Sequence, residues 1–186
     1  MILVREISDE KVKWLFNRAN EIWAGCHIQF DVKSTRSVTW KEQVAMLGVA
    51  KYASGDQPQS AAIISNRPGA ETVAMAWARE HSSLPHTVII VPEILADDVG
   101  RPLTSQPGVT NDQNISWIRD ENYGYWWYMG RALAHELGHQ LGLPHTTGFW
   151  GGFHLMGTTH NSWWNHYNID EAECRKARNT ILSGQQ

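Results

Sequence analysis

Cysteine is nearly missing from this chain: only Cys26 and Cys174 occur among 186 residues. Neither lies in a metal-site motif, so a metal held by thiolates is not expected. Each cysteine falls on the apolar face of an expected helix, which leaves two readings: a pair of buried free thiols, or one disulfide between the terminal helices. A basic excess is also missing. Lys and Arg total 16 against 19 Asp and Glu, for a formal net charge of -3 and a pI near 6.3. A nucleic-acid surface, which needs clustered positive charge, is not expected. No apolar run approaches the roughly 20 residues of a helical membrane span, so none is expected. The opening Met1-Ile2-Leu3-Val4-Arg5-Glu6 reaches charge before any apolar core, unlike a signal peptide. Internal repeats and low-complexity tracts are absent as well.

What remains is about one domain's length, expected as a single unit over 1–186. It is unusually rich in tryptophan, with 10. Trp14, Trp23, Trp40 and Trp77 sit in periodic segments and read as core. Trp126, Trp127, Trp150, Trp163 and Trp164 flank the histidine-rich region, where they either pack or line a cleft.

That region is His135-Glu136-Leu137-Gly138-His139-Gln140-Leu141-Gly142-Leu143-Pro144-His145. His135 and His139 are four residues apart, so on a helix of about 3.6 residues per turn their rings project from nearly one face and can grip one ion. Glu136 is rotated by roughly 100° about the same axis. There it is poorly placed to ligate with both histidines and well placed to hold a water as a base. Gly142 can take the left-handed conformation that ends a helix, turning the chain so that His145 returns as a third ligand. Three neutral imidazoles leave zinc an open fourth position, the arrangement of catalytic sites.

The pattern H-E-x-x-H-x-x-G-x-x-H resembles the signature of the metzincin clan of zinc endopeptidases. Met156, in Leu155-Met156-Gly157-Thr158, fits the methionine turn that the clan places beneath its zinc. Thr146 follows the third histidine, where matrixins carry serine, adamalysins aspartate, astacins glutamate and serralysins proline. Thr158 stands where astacins and serralysins carry a metal-binding tyrosine, so the subfamily stays open.

Along the chain, strands are expected at 2–7, 28–38, 61–65, 72–79 and 87–91, with a hairpin around 109–118. Val12, Leu15, Phe16, Ala19, Ile22, Trp23 and Cys26 recur at helical spacing behind a Ser8 cap. Thr39 and Glu42 resemble a capping box opening a helix to about residue 53. The histidine helix is expected over 122–141, and a last helix begins at the cap formed by Asp170 and Glu173. Between residues 92 and 121, Asp97, Asp98, Asn111, Asp112 and Asn114 read as turn residues, with calcium ligation as the other possibility.

This order is compatible with the metzincin fold. The resemblance implies an α+β domain with a twisted, mixed, mostly parallel five-stranded sheet and two long helices. An upper part over 1–145 is followed by a small irregular lower part over 146–186 that ends in a helix. It further implies a zinc metalloendopeptidase using one Zn2+ held by His135, His139 and His145, with Glu136 as general base and Met156 in the turn below. A polypeptide substrate would add to an antiparallel edge strand. For that edge the candidate is 72–79, with Thr72, Ala74 and Ala76 as contacts. Trp163 and Trp164 are expected to wall the pocket for the residue after the cut, and His154, His160, His166 and Tyr167 are possible helpers.

Three other readings compete: a gluzincin site in which Glu171 or Glu173 replaces His145, a zinc-holding binding module that cleaves nothing, and a toxin-like protease effector controlled by a cognate inhibitor protein. A monomer is expected. So is export without a cleavable leader, or existence as a processed mature domain.

Overall fold

The computed structural model describes residues 1–3, 7–39, 42, 61–65, 72–82, 86–97, 104–105, 107–112, 114–120, 126–146, 154–157 and 168–184. Among them the chain is α+β, with four helices and two sheets. The larger sheet has the order β2-β1-β4-β8-β7, where β1 is Ile2–Leu3, β2 Arg36–Ser37, β4 Thr87–Val91, β7 Gly108–Asp112 and β8 Ile115–Arg119. Its pairs are parallel except the last: β7 runs antiparallel to β8 and forms an edge. The smaller sheet joins β3 (Ala61–Ser65), β5 (Glu93–Asp97) and β6 (Thr104–Ser105).

The apolar run of β4 is buried at every position. Val88 and Ile90 join one core, and Ile89 and Val91 the other. A strand that alternates between two cores must be covered on both faces. On the first face lie helix α1, Asp9–Trp23, and helix α3, Trp126–Gln140. They meet through Val12, Leu15, Ala19 and Trp23 from α1 and Met129, Leu133 and Leu137 from α3. Trp23 is wholly buried, and its indole N–H donates to the Ala134 carbonyl at 3.0 Å. Ser8 caps α1 by accepting from the Lys11 amide. The Lys11 ammonium in turn pairs with buried Asp120 beyond β8.

On the second face lies α2, Val73–His81, and here the sequence reading was wrong. Residues 73–79 are helical, and 72–79 form no edge strand. Thr72 is the N-cap and accepts from the Met75 amide. Ala74, Met75, Trp77 and Ala78 are buried while Val73 and Ala76 face outward. That pattern is helical. The alternation of large apolar residues with alanine was misleading because alanine, the strongest helix former, is itself a core residue here. Thr72, Ala74 and Ala76 therefore offer no strand edge to a substrate.

The five expected strands are accordingly not those of the larger sheet: 61–65 belongs to the smaller sheet, 72–79 is the cap and first part of α2, and the 109–118 hairpin supplies β7 and β8. Within 28–38 only Arg36–Ser37 is strand, and residues 31–37 are exposed. Thr39 and Glu42 make the reciprocal capping bonds, but residues 43–53 lie outside the described residues.

The last helix, α4 (Glu171–Ser183), opens with the expected capping box of Asp170 and Glu173. Cys26, in the 3-10 turn after α1, is joined to Cys174 of α4 by a disulfide across 148 residues of sequence. The two cysteines are thus not free thiols.

Candidate metal centre

The histidine helix ends where the sequence said it must. Gly142 has φ of 77°, the Leu143 amide donates to Gly138 O at 3.0 Å, and the Gly142 amide donates to His139 O at 2.9 Å. These two bonds form a Schellman turn, which satisfies helix-end carbonyls and reverses the chain. Its first consequence is to bring His145 back to the helix. Its second is to aim the Leu143 carbonyl at His139, whose Nδ1–H donates to it at 2.8 Å.

His135 is fixed in the same way, its Nδ1–H donating to the Leu155 carbonyl at 2.6 Å. A carbonyl can only accept, so both rings carry their proton on Nδ1 and present a bare Nε2 lone pair. The three Nε2 atoms of His135, His139 and His145 stand 3.1 to 3.2 Å from one another. The two bare lone pairs of His135 and His139, 3.1 Å apart, repel unless a cation, or a proton on His145 Nε2, lies between them. Nitrogens held about 2.0–2.1 Å from a tetrahedral zinc would be about 3.3–3.4 Å apart, close to the observed triangle. Burial holds the His139 and His145 rings below the ordinary imidazole pKa, with the Leu143 carbonyl opposing and His145 reinforcing the effect at His139. Neutral imidazole is the form that ligates. The donor set therefore fits a metal ion.

Met156 lies directly beneath this helix. A β-carbon at Gly138 would stand 2.5 Å from its sulfur and 3.3 Å from the Trp23 ring. Only glycine allows that approach, one residue before the second helical ligand. Met156 is wholly buried.

Glu136 is buried and faces the edge strand. The Thr110 hydroxyl donates to its Oε2 at 2.7 Å, and a β-carbon on Gly108 would be 2.8 Å from its Cγ. Thr110 is braced in turn by Ser116 at 2.8 Å, and Ser116 accepts from the Gln140 amide at 2.7 Å. Burial pushes the Glu136 carboxyl up to about 8 against the lowering effect of Thr110. A divalent cation nearby would pull it back down. A cavity of about 10 Å³, room for roughly one water, is bounded by Pro107, Tyr128, Arg131, Ala132, His135 and Glu136.

A second grouping, His154 with Asp170 and Glu173, differs in kind. Both carboxylates already cap α4, and the positive end of a helix dipole disfavours a cation. His154 and Glu173 thus belong to a cluster separate from the three imidazoles, whose third member is His145. Trp150, Trp163, Trp164, His160, His166, Tyr167, Thr158 and Asp98 lie outside the described residues. So do the side chains of Trp126, Trp127, Asp97, Asn111 and Asp112.

Gly108, Thr110 and Gly138 were missed in the sequence. A glycine in the middle of a helix, costly there, was the available sign of a close approach at 138. Thr110 had no local sign, because its role depends on β7 lying beside α3. Neither a family model nor a curated protein matches the chain.

Proposed function

We propose that this protein is a zinc-dependent endopeptidase of the metzincin kind, the family its histidine motif resembles. The observation that carries the reading is the convergence of three Nε2 atoms within 3.2 Å beside a buried carboxylate that takes no part in the triangle. A metal held by these three donors would keep a coordination position open, and Glu136, which lines the same small cavity as His135, would be the base nearby, as hydrolysis requires and a closed structural site does not. Zinc bound there supplies Lewis acidity toward a carbonyl and a water acidic near neutral pH.

The protein's own residues supply the rest. Glu136 accepts the proton of the attacking water and delivers it to the departing amine, with Thr110 holding the carboxylate in place. The substrate strand would add to β7, the antiparallel edge whose Gly108 and Thr110 adjoin Glu136. Main-chain pairing there accepts many sequences. The Cys26–Cys174 disulfide supports an oxidising, exported setting over a reducing one.

Glu136→Gln tests the base. The amide can still hydrogen-bond to water but cannot take its proton, so cleavage of an unfolded protein substrate should fall by at least about a hundredfold while zinc content is kept. Cleavage at the parent rate would remove Glu136 from the reaction.

A further inference from the structure

The three ligands are not held alike. His135 and His139 each have an Nδ1 partner, the carbonyls of Leu155 and Leu143. His145 has none among the described residues, and it is exposed. Metal-ligating histidines depend on such partners for orientation, so His145 must be fixed by some other route.

That route runs through the next residue. The Thr146 amide donates to Met156 O at 2.7 Å, which anchors the main chain on the methionine turn. The Thr146 hydroxyl donates to Glu173 Oε1 at 2.9 Å. Glu173 is itself immobilised: its Oε2 accepts from the Asp170 amide at 3.0 Å, and its own amide donates to Asp170 Oδ1 at 2.7 Å. The adjacent Cys174 is tied to Cys26. The first turn of α4 is therefore a fixed post, and one of its two carboxylate oxygens is spent on the chain carrying the third ligand.

The geometry points to Glu173 as a positioning residue for the metal centre, acting through the Thr146 hydroxyl to hold His145 on the ion. Two bonds on Thr146, one from its amide and one from its hydroxyl, set the residue in both directions. Without the second, the segment carrying His145 would pivot on the Met156 contact alone, and the exposed imidazole would leave the ion more often. The role rests on the imidazoles holding an ion, as proposed above.

The test is the rate at which the zinc-loaded full-length protein gives up zinc to an excess of a chromogenic chelator, read alongside the visible absorption of the cobalt-substituted protein. Thr146→Val removes the hydroxyl and leaves the helix cap intact. It should speed release by roughly tenfold or more and alter the cobalt bands, while Thr146→Ser restores both. Asp170→Ala removes one of the two bonds that immobilise Glu173 but leaves the Thr146 hydroxyl in place, so it should lower the melting temperature and speed release by less than Thr146→Val. Release from Thr146→Val at the parent rate would overturn the role of Glu173, as would release from Asp170→Ala as fast as from Thr146→Val. A parent protein that takes up no zinc or cobalt would instead refute the metal centre itself.

Discussion

Gly138 and Met156 are in contact at a distance that admits no side chain: a β-carbon on Gly138 would meet the methionine sulfur at 2.5 Å. Met156 is wholly buried, and the same β-carbon would stand 3.3 Å from the Trp23 ring, so the sulfur would have to shift within a packed core. Gly138→Ala should therefore destabilise the protein by about 1–3 kcal/mol through overpacking, outweighing the roughly 1 kcal/mol that alanine contributes to a helix. Thermal unfolding decides it, and a melting temperature at or above the parent's would show that the turn yields.

Glu136 should make the metal-free protein's stability depend on pH. Its folded pKa of about 8 lies above the unfolded value, so the native state binds the extra proton between about pH 4.5 and pH 8. Stability from this group is full below that window and is lost as pH rises through it. Glu136→Gln lacks the titration. Metal-free, the variant should match the parent near pH 4.5 and exceed it near pH 8, by an amount on the order of a few kcal/mol. Denaturant unfolding at the two pH values measures the difference, and an equal gap at both would mean that burial does not penalise the charge.

Much of this site was legible in the sequence because it is local. Ligand spacing, the helix-ending Gly142 and the capping box of Asp170 and Glu173 depend on residues within one or two helical turns, where period and conformational preference act directly. The errors lie where distant chain decides. Residues 72–79 read as a strand because Val73, Met75 and Trp77 alternate. The helix prevails because Ala74 and Ala78 are as deeply buried as Met75 and Trp77, which only the neighbouring sheet determines. Thr110 is 26 residues from Glu136 and Thr146 is 27 from Glu173. No spacing rule reaches that far. The pairing of Cys26 with Cys174 was one of two open readings for the same reason.

Replacing both Cys26 and Cys174 by serine removes a link that closes 148 residues of sequence. Loss of such a bridge typically costs about 2–5 kcal/mol, mainly by freeing the unfolded chain. The midpoint of denaturant unfolding should fall accordingly. An unchanged midpoint would mean that packing against the first core, with Ala177 in it, already holds α4 without the bridge.

The most direct measurement is a titration of peptide-bond cleavage against zinc added to the metal-stripped protein, using an unfolded protein substrate. Cleavage should be absent without metal, rise in proportion to added zinc and level off at about one equivalent per chain, as a single open-sided site of three imidazoles requires. Full zinc occupancy with no cleavage, or cleavage that proceeds equally well without zinc, would contradict it.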